Sequence, residues 1–174
     1  MNKSVLATSV LLMSALTTPV MAEEGRGSIG LASKSISIAT TSGFTTNTFQ
    51  WGGIALVGGY DITNSISLHG SYYTLTETTD SNSEMSGFDA DVRFGPNGLG
   101  FTYYGSLGYF SDTWNWSTGG VSQDYSGGTF GVGIGYNWDS VNLDWNILNI
   151  RSKSDYPATT DLVGSGALSL SYRF

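Results

Sequence analysis

Apolar residues recur at every second position along most of the chain, which is the period of a β-strand with two chemically different faces. In the clearest stretch, residues 88–94, apolar side chains occupy the even positions, and Asp89, Asp91 and Arg93 occupy the odd ones. No stretch of the sequence keeps a helical period for three turns. The pattern therefore predicts an all-β protein.

The alternation recurs eight times after about residue 26, and the connections between the predicted strands alternate in length. The long connections are residues 40–48, 76–86, 111–126 and 152–161, and the short ones are 61–65, 95–98 and 139–140. A meander places every second connection at the same end of the sheet. We therefore predict an eight-stranded antiparallel up-and-down barrel, with long loops at one mouth and both termini at the other.

The first predicted strand is the least regular. Its apolar residues have odd numbers at Ile29 and Leu31 but even numbers at Ile36 and Ile38. A change of parity inside one strand is what an inserted residue produces, so the sequence predicts a β-bulge near residues 33–34.

Alternation alone does not show whether the apolar face fills a core, as in a soluble ligand-binding barrel, or faces lipid, as in an outer-membrane barrel. Large aromatic residues at both ends of the predicted strands favour lipid, because membrane barrels carry an aromatic belt at each interface. These residues are Tyr60, Phe94, Trp138, Tyr172 and Phe174 near the short turns, and Tyr72 and Tyr109 near the long loops. We therefore predict a transmembrane β-barrel.

Residues 1–22 have the composition of a secretory signal peptide. Lys3 gives a positive start, residues 5–16 are apolar or small, and small residues precede Glu23. The apolar run is shorter than the ~20 residues that a spanning helix needs. We predict export and cleavage after Ala22, which leaves residues 23–174 as the barrel domain.

Composition excludes several classes of function. The 174 residues include seven Lys and Arg, 14 Asp and Glu, one His and no Cys, for a net charge of −7. This balance gives no basic surface for nucleic acid. The lack of cysteine excludes a disulfide scaffold, a thiol nucleophile and a cysteine-ligated zinc, and we expect no cofactor.

Three segments carry a resemblance to a known family: the signal peptide, residues 59–68 at a short turn, and the last strand, which ends in Tyr172 and Phe174. Together they resemble the small bacterial outer-membrane barrels of the OmpA/OmpX type. The resemblance implies a monomer in the Gram-negative outer membrane, in contact with lipid and lipopolysaccharide. It also implies that the barrel-assembly machinery reads Tyr172 and Phe174 as an assembly signal. Unlike OmpA itself, the chain stops at Phe174, and we expect no periplasmic domain.

Charged residues fall on the face that a membrane barrel turns inward. They are Asp89, Asp91, Arg93, Asp144 and Arg173, with His69 as a neighbour in the pattern. We interpret them as a lumenal network of ion pairs and hydrogen bonds. An alternative is a gate in which Arg93 or Arg173 exchanges acidic partners, which would make the barrel a narrow channel for small solutes.

His69 and Ser71 lie two residues apart on one strand face, a spacing compatible with the base and nucleophile of a lipid A-modifying enzyme. Their position near a short turn places them in the inner half of the membrane, whereas lipopolysaccharide occupies the outer leaflet. We therefore interpret His69 as a lumenal residue bonded to Asp91 and expect the protein not to be an enzyme.

The third long connection contains Trp114 and Trp116, which are candidates for contact with a host surface or a phage. The alternative is that both rings continue the strand and cap the barrel mouth. Arg151 and Lys153 are expected at the upper rim, where the default is a solvated position and the alternative is binding to lipopolysaccharide phosphates. The sequence as a whole predicts a structural or surface-interaction role, in membrane stability, adhesion or resistance.

Overall fold

The computed structural model describes residues 26–42, 45–78, 83–116, 121–152 and 160–174. The strands are β1 (Gly27–Ser42), β2 (Thr45–Thr63), β3 (Ile66–Glu77), β4 (Ser83–Phe94), β5 (Gly100–Trp116), β6 (Val121–Asn137), β7 (Val141–Arg151) and β8 (Thr160–Arg173). Each strand pairs antiparallel with its sequence neighbours, and β8 pairs with β1, so the sheet closes into an up-and-down barrel. The predicted fold is confirmed. The predicted signal peptide lies outside the described residues.

The two ends of the barrel differ. The turn end carries the short turns together with Gly27 and Phe174, and the loop end is the opposite mouth. No helix within the described ranges is long and apolar enough to cross a membrane.

The strands reach further toward the loop end than the hydrophobic pattern predicted. Pairing of β1 with β2 continues to Ser42 and Thr45, and pairing of β5 with β6 continues to Trp116 and Val121. Most of the predicted long connections are therefore strand. The pattern missed these segments because their outward positions are polar.

The outward-facing side chains change character along the barrel axis. Near the turn end they are large and apolar, and Leu31, Phe101 and Leu170 are each at least 60% exposed. Near the loop end most exposed residues on the strands are polar, among them Gln50, Thr74, Thr76, Glu84 and Asn115, and Leu162 is an exception at 51% exposed. We call the first zone the apolar band and the second the collar.

The interior changes in the opposite sense. Inside the collar lies a buried apolar cluster, the collar core, formed by Ile36, Ile38, Trp51, Leu75, Met85, Phe110, Trp114, Tyr125 and Val163. Inside the apolar band the buried residues are polar, among them Ser67, Thr102, Asn137, Ser169 and Ser171. The barrel is therefore apolar outside and polar inside near the turn end, and the reverse near the loop end.

This reversal explains the irregular parity of β1. Ile29 and Leu31 are exposed on the apolar band, whereas Ile36 and Ile38 are buried in the collar core. The pairing of β1 with β2 shows no register shift through this segment. The predicted bulge near residues 33–34 is therefore wrong: the strand is regular, and the apolar face changes from outside to inside.

A bulge does occur in β7. The register shifts against both β6 and β8 at this point, and Ile147 and Leu148 are both exposed. Beyond them the parity of β7 is inverted, so that Asn149 and Arg151 face the lumen as Asn146 does before them.

The collar core should contribute to stability as the core of a soluble barrel does. We expect Leu75→Ala to lower the free energy of unfolding by about 2–5 kcal/mol, because it removes a fully buried side chain and leaves a cavity. Thr76→Ala, the exposed neighbour on the same strand, should change it by less than about 0.5 kcal/mol. Urea unfolding of the refolded protein in micelles measures both, and equal losses would contradict the assignment.

Candidate functional site

The lumen is the part of the described chain where polar and charged side chains converge. From the turn end to the loop end it contains a lower polar layer, a layer of buried charges and then the collar core. The layers matter for function because together they determine whether anything can pass through or bind inside the barrel.

The charged layer consists of Lys34, Tyr73, Asp89, Asp112 and Arg151. Lys34 Nζ donates to Asp89 Oδ2, and Arg151 Nη2 donates to Asp89 Oδ1 at 2.7 Å. Arg151 Nη1 donates to Asp112 Oδ2, and Tyr73 Oη donates to Asp112 Oδ1. Two cations thus balance two carboxylates, which satisfies the main condition for burying charge.

Aromatic rings sit against the two cations. Lys34 Nζ lies 4.2 Å from the centroid of the Tyr73 ring, and Arg151 Cζ lies 4.7 Å from that of Phe110. Such contacts favour a desolvated cation. Phe110 also belongs to the collar core, so the charged layer and the collar core pack against each other.

The lower polar layer is centred on Arg93. Its Nε donates to Asp91 Oδ2 at 3.0 Å and its Nη1 to Asp144 Oδ1 at 3.1 Å, and Tyr104 Oη donates to the same Asp144 oxygen at 3.0 Å. The structure therefore brings together the predicted residues Asp91, Arg93 and Asp144. His69 lies opposite Asp91 in the β3–β4 register.

The turn between β4 and β5 forms hydrogen bonds to residues of other strands at the turn-end mouth. Asn97 Nδ2 donates to Asp61 Oδ1 at 3.3 Å, and the main-chain oxygen of Asn97 accepts from Asn137 Nδ2 at 2.9 Å. Arg173 Nη2 donates to that same oxygen and to Asp61 Oδ2. The predicted residue Arg173 thus belongs to this turn-end cluster, and its hydrogen-bond partners differ from those of Arg93.

Sequence reasoning missed Lys34 and Asp112, and it misplaced Arg151. Arg151 was expected at the rim near lipopolysaccharide phosphates, but it is 2% exposed and faces the lumen. The β7 bulge at Ile147 and Leu148 is the cause, since one extra residue turns the following side chains to the other face.

Of the two interpretations of Trp114, an exposed contact residue or a residue that continues the strand and caps the mouth, the structure is incompatible with the first. Trp114 lies in β5, is 7% exposed, and packs edge-to-face on Trp51 with ring centroids 4.7 Å apart. Its Nε1 donates to Ser83 Oγ at 2.6 Å. The backbone of Trp116 pairs with Ser83 and Val121 at the end of β5. Trp114 therefore fits the alternative interpretation, in which the ring continues the strand and caps the barrel mouth.

The predicted assembly-signal residues lie at the barrel seam. Tyr172 and Phe174 are each 58% exposed on the apolar band, with stacked rings 6.3 Å apart. Phe174 exchanges two backbone hydrogen bonds with Gly27, at 2.9 and 3.0 Å. Recognition by the assembly machinery stays a prediction.

Two polar cavities of about 40 Å³ each lie in the lumen, one near the turn end and one that reaches Lys34 and Asp89 of the charged layer. The turn-end cavity is lined by Asp61, His69, Asn97, Asn137 and Arg173, among others. The lumen cavity is lined by Lys34, Asp91, Asp144, Asn146 and Asn149, among others. Both are far smaller than the roughly 300–1,000 Å³ of small-molecule pockets. Within the described residues, no group of three or more His, Asp or Glu is placed to hold a metal ion.

A closed eight-stranded antiparallel barrel with an apolar outer band and a filled polar lumen defines the class of small outer-membrane β-barrels. No protein-family model matches the chain, and no curated protein matches it.

Solved structures of this class are similar to the chain. Ail, the attachment invasion locus protein of Yersinia pestis, has a TM-score of 0.59 and 18% identity, with coverage of 87% of this chain and 99% of Ail. Ail in complex with the heparin analogue sucrose octasulfate has a TM-score of 0.52 and 21% identity, with the same coverage. The outer-membrane protein OprG from Pseudomonas aeruginosa has a TM-score of 0.56 and 11% identity, with coverage of 87% of this chain and 96% of OprG. At these identities the likeness shows the fold.

The charged layer predicts a large effect of removing one partner. We expect Arg151→Gln to lower the free energy of unfolding by about 3–5 kcal/mol, because Asp89 and Asp112 then share only Lys34. Adding Asp112→Asn should restore part of the loss, because it removes the unpaired carboxylate. Glu84→Gln, at an exposed carboxylate, should cost no more than about 1 kcal/mol. Urea unfolding in micelles measures all three, and a loss no greater for Arg151→Gln than for Glu84→Gln would contradict the assignment.

Proposed function

We propose that this protein is an integral outer-membrane barrel with a structural and surface-presenting role. In this proposal the apolar band contacts lipid, and the collar stands above the membrane as a rigid extension of the barrel. The observation that carries the proposal is the reversal of the apolar face, which changes from outside to inside at one level around the barrel.

The apolar band supports a lipid environment. Every strand contributes at least one large hydrophobic residue that is more than 40% exposed: Ile29, Ile54, Leu68, Phe94, Phe101, Phe130, Trp145 and Leu168. In water a continuous apolar surface of this extent would drive aggregation. A soluble ligand-binding barrel would place these side chains inside, where the structure has polar ones.

The filled lumen supports a protein that is closed to solutes along its axis. The charged layer and the collar core block the bore one above the other. A gate at Arg93 would open only the lower layer, because Trp51, Leu75 and Met85 remain fully buried above it. This favours the structural role over the narrow channel.

The positions of His69 and Ser71 support a non-enzymatic role. Both line the lumen cavity, and His69 lies across from Asp91 in the ladder. A lipid in the outer leaflet contacts the outer face of the barrel and is separated from these groups by the sheet.

The charge distribution bears on the class of surface partner. Lys34, Arg93, Arg151 and Arg173 face the lumen, and Arg26 precedes β1 at the turn end. The exposed charged residues of the collar are carboxylates, Glu84 and Asp124. Ail was solved with a polyanion, the heparin analogue. The exposed charges of the collar described here are negative, like those of that polyanion, so we propose that any partner is recognised through neutral polar groups and carboxylates.

Cysteine labelling tests the membrane placement, because the chain has no native cysteine. On intact cells, a membrane-impermeant maleimide should label Asn115→Cys in the collar. It should label Asp139→Cys at the turn end only after the outer membrane is permeabilised. Leu107→Cys, on the same strand as Asn115 but in the apolar band, should stay unlabelled in both cases. Labelling of Leu107→Cys on intact cells would contradict the lipid contact.

Heparin chromatography tests the partner class. The refolded protein should pass through a heparin column at low salt, because the described collar offers no exposed cation. The double variant Glu84→Lys and Asp124→Lys should be retained and should elute with added salt, which shows that the column detects charge at this surface. Retention of the unmodified protein would overturn the proposal on partner charge and leave the membrane placement intact.

A further inference from the structure

The charges buried in the lumen do not balance. Arg173 and Asp61 pair at the turn end and cancel each other. Between that pair and the collar core, the described lumenal side chains comprise three cations, Lys34, Arg93 and Arg151, and four carboxylates, Asp89, Asp91, Asp112 and Asp144. One negative charge therefore has no positive partner, in a bore surrounded by lipid where an uncompensated charge is costly.

Two carbonyl oxygens next to this excess charge also lack hydrogen-bond partners. Asn146 and Asn149 are 8% and 4% exposed, and the side-chain Oδ1 of each is buried without a donor. Both residues line the lumen cavity. The β7 bulge places both side chains inward, although they are three residues apart. A buried acceptor without a donor is unfavourable unless something else binds it.

The lumen cavity brings these two features together. Its walls include Asp91 and Asp144, which share Arg93, and Asn146 and Asn149, which lie on β7 together with Asp144. Its volume of about 40 Å³ is enough for an ion with a water molecule, since a single water needs roughly 10–15 Å³. Carboxylate and amide oxygens are the ligands that hard cations prefer.

We propose that the lumen cavity binds one alkali-metal cation, Na⁺ or K⁺, held by the oxygens of Asn146 and Asn149 and by the carboxylates of Asp91 and Asp144. A single positive charge completes the neutrality of the lumen. A divalent ion would overcompensate it, and the described residues do not offer the three converging acids that such an ion needs. The bound cation would stabilise the folded barrel in proportion to its occupancy, because the unfolded chain has no such cavity.

His69 offers the competing way to neutralise the lumen, because its imidazole lines the same cavity and would carry the missing charge when protonated. In that case stability would be independent of the cation present. The dependence of stability on the identity of the salt therefore distinguishes a bound metal ion from a protonated histidine or from water alone.

The test uses the full chain refolded in detergent micelles. Its thermal midpoint is read from the different gel migration of folded and unfolded protein in NaCl, in KCl and in N-methyl-D-glucamine chloride at equal concentration. Equal ionic strength keeps screening constant, and the organic cation is too large for the cavity. We expect the midpoint to be several degrees higher in NaCl or KCl than in the organic salt.

Matched variants locate the effect. Asn146→Ala with Asn149→Ala should lose the cation-dependent shift. Asn142→Ala should keep it, because Asn142 lies on the same strand but lines the turn-end cavity and bonds to Asn137. Asp91→Asn removes the excess charge, so it should raise the midpoint in the organic salt and abolish the shift.

Two results of the stability measurements would overturn the proposal. One is the same midpoint for the unmodified protein in all three salts. The other is an undiminished shift in the variant that lacks both asparagine side chains, which would place the ion elsewhere. Crystals grown with RbCl give a direct measurement: an anomalous peak between Asn146 and Asp91 supports the site, and density for water only refutes it.

Discussion

The closed hydrogen-bonded ladder is the constraint on which the rest of this structure depends. A sheet can cross a lipid layer only if no edge strand is left unpaired, and here β8 returns to pair with β1. Closure with eight strands leaves a bore about as wide as side chains are long, so inward residues must fill it. The inward side chains differ in size from strand to strand. A Cβ added at Gly133 would come within 2.3 Å of the Tyr104 ring, so glycine on β6 makes room for an aromatic side chain from β5.

The ladder runs through both the apolar band and the collar, and the side chains reverse where these two zones meet. On β5 the outward positions pass from Phe101 and Leu107 to Asn115, while the inward ones pass from Thr102 to Trp114. The charged layer lies at this transition, between the polar lumen and the collar core. Ion pairs here are shielded from water by packed aromatic rings on the loop side, which makes their attraction strong and the loss of one partner costly.

The same reversal determines how much of the structure could be predicted from the sequence. The eight strands, their order and the faces of the apolar band follow from the alternation of apolar residues, and so does the convergence of Asp91 with Arg93. The alternation predicts loops where the collar strands lie, because Trp114 and its neighbours are apolar on the opposite face. Arg151 was misplaced for a different reason: no residue type marks the bulge at Ile147 and Leu148, and a single extra residue turns every later side chain over. Periodicity identifies a face, but only the pairing of neighbouring strands shows whether that face is inside.

The placement of cations has a consequence for what the surface can do. The sequence carries only seven Lys and Arg, and four of them face the lumen, where they neutralise buried carboxylates. Cations used in this way are shielded from the exterior, and the rest of the sequence has three Lys and Arg against nine Asp and Glu. A barrel that uses most of its basic residues to pair carboxylates in the lumen therefore has little positive charge left for binding polyanions at its mouth. Stability of the lumen and the charge of the surface are thus coupled through one small set of basic residues, and a gain of surface cations would require new ones in the collar.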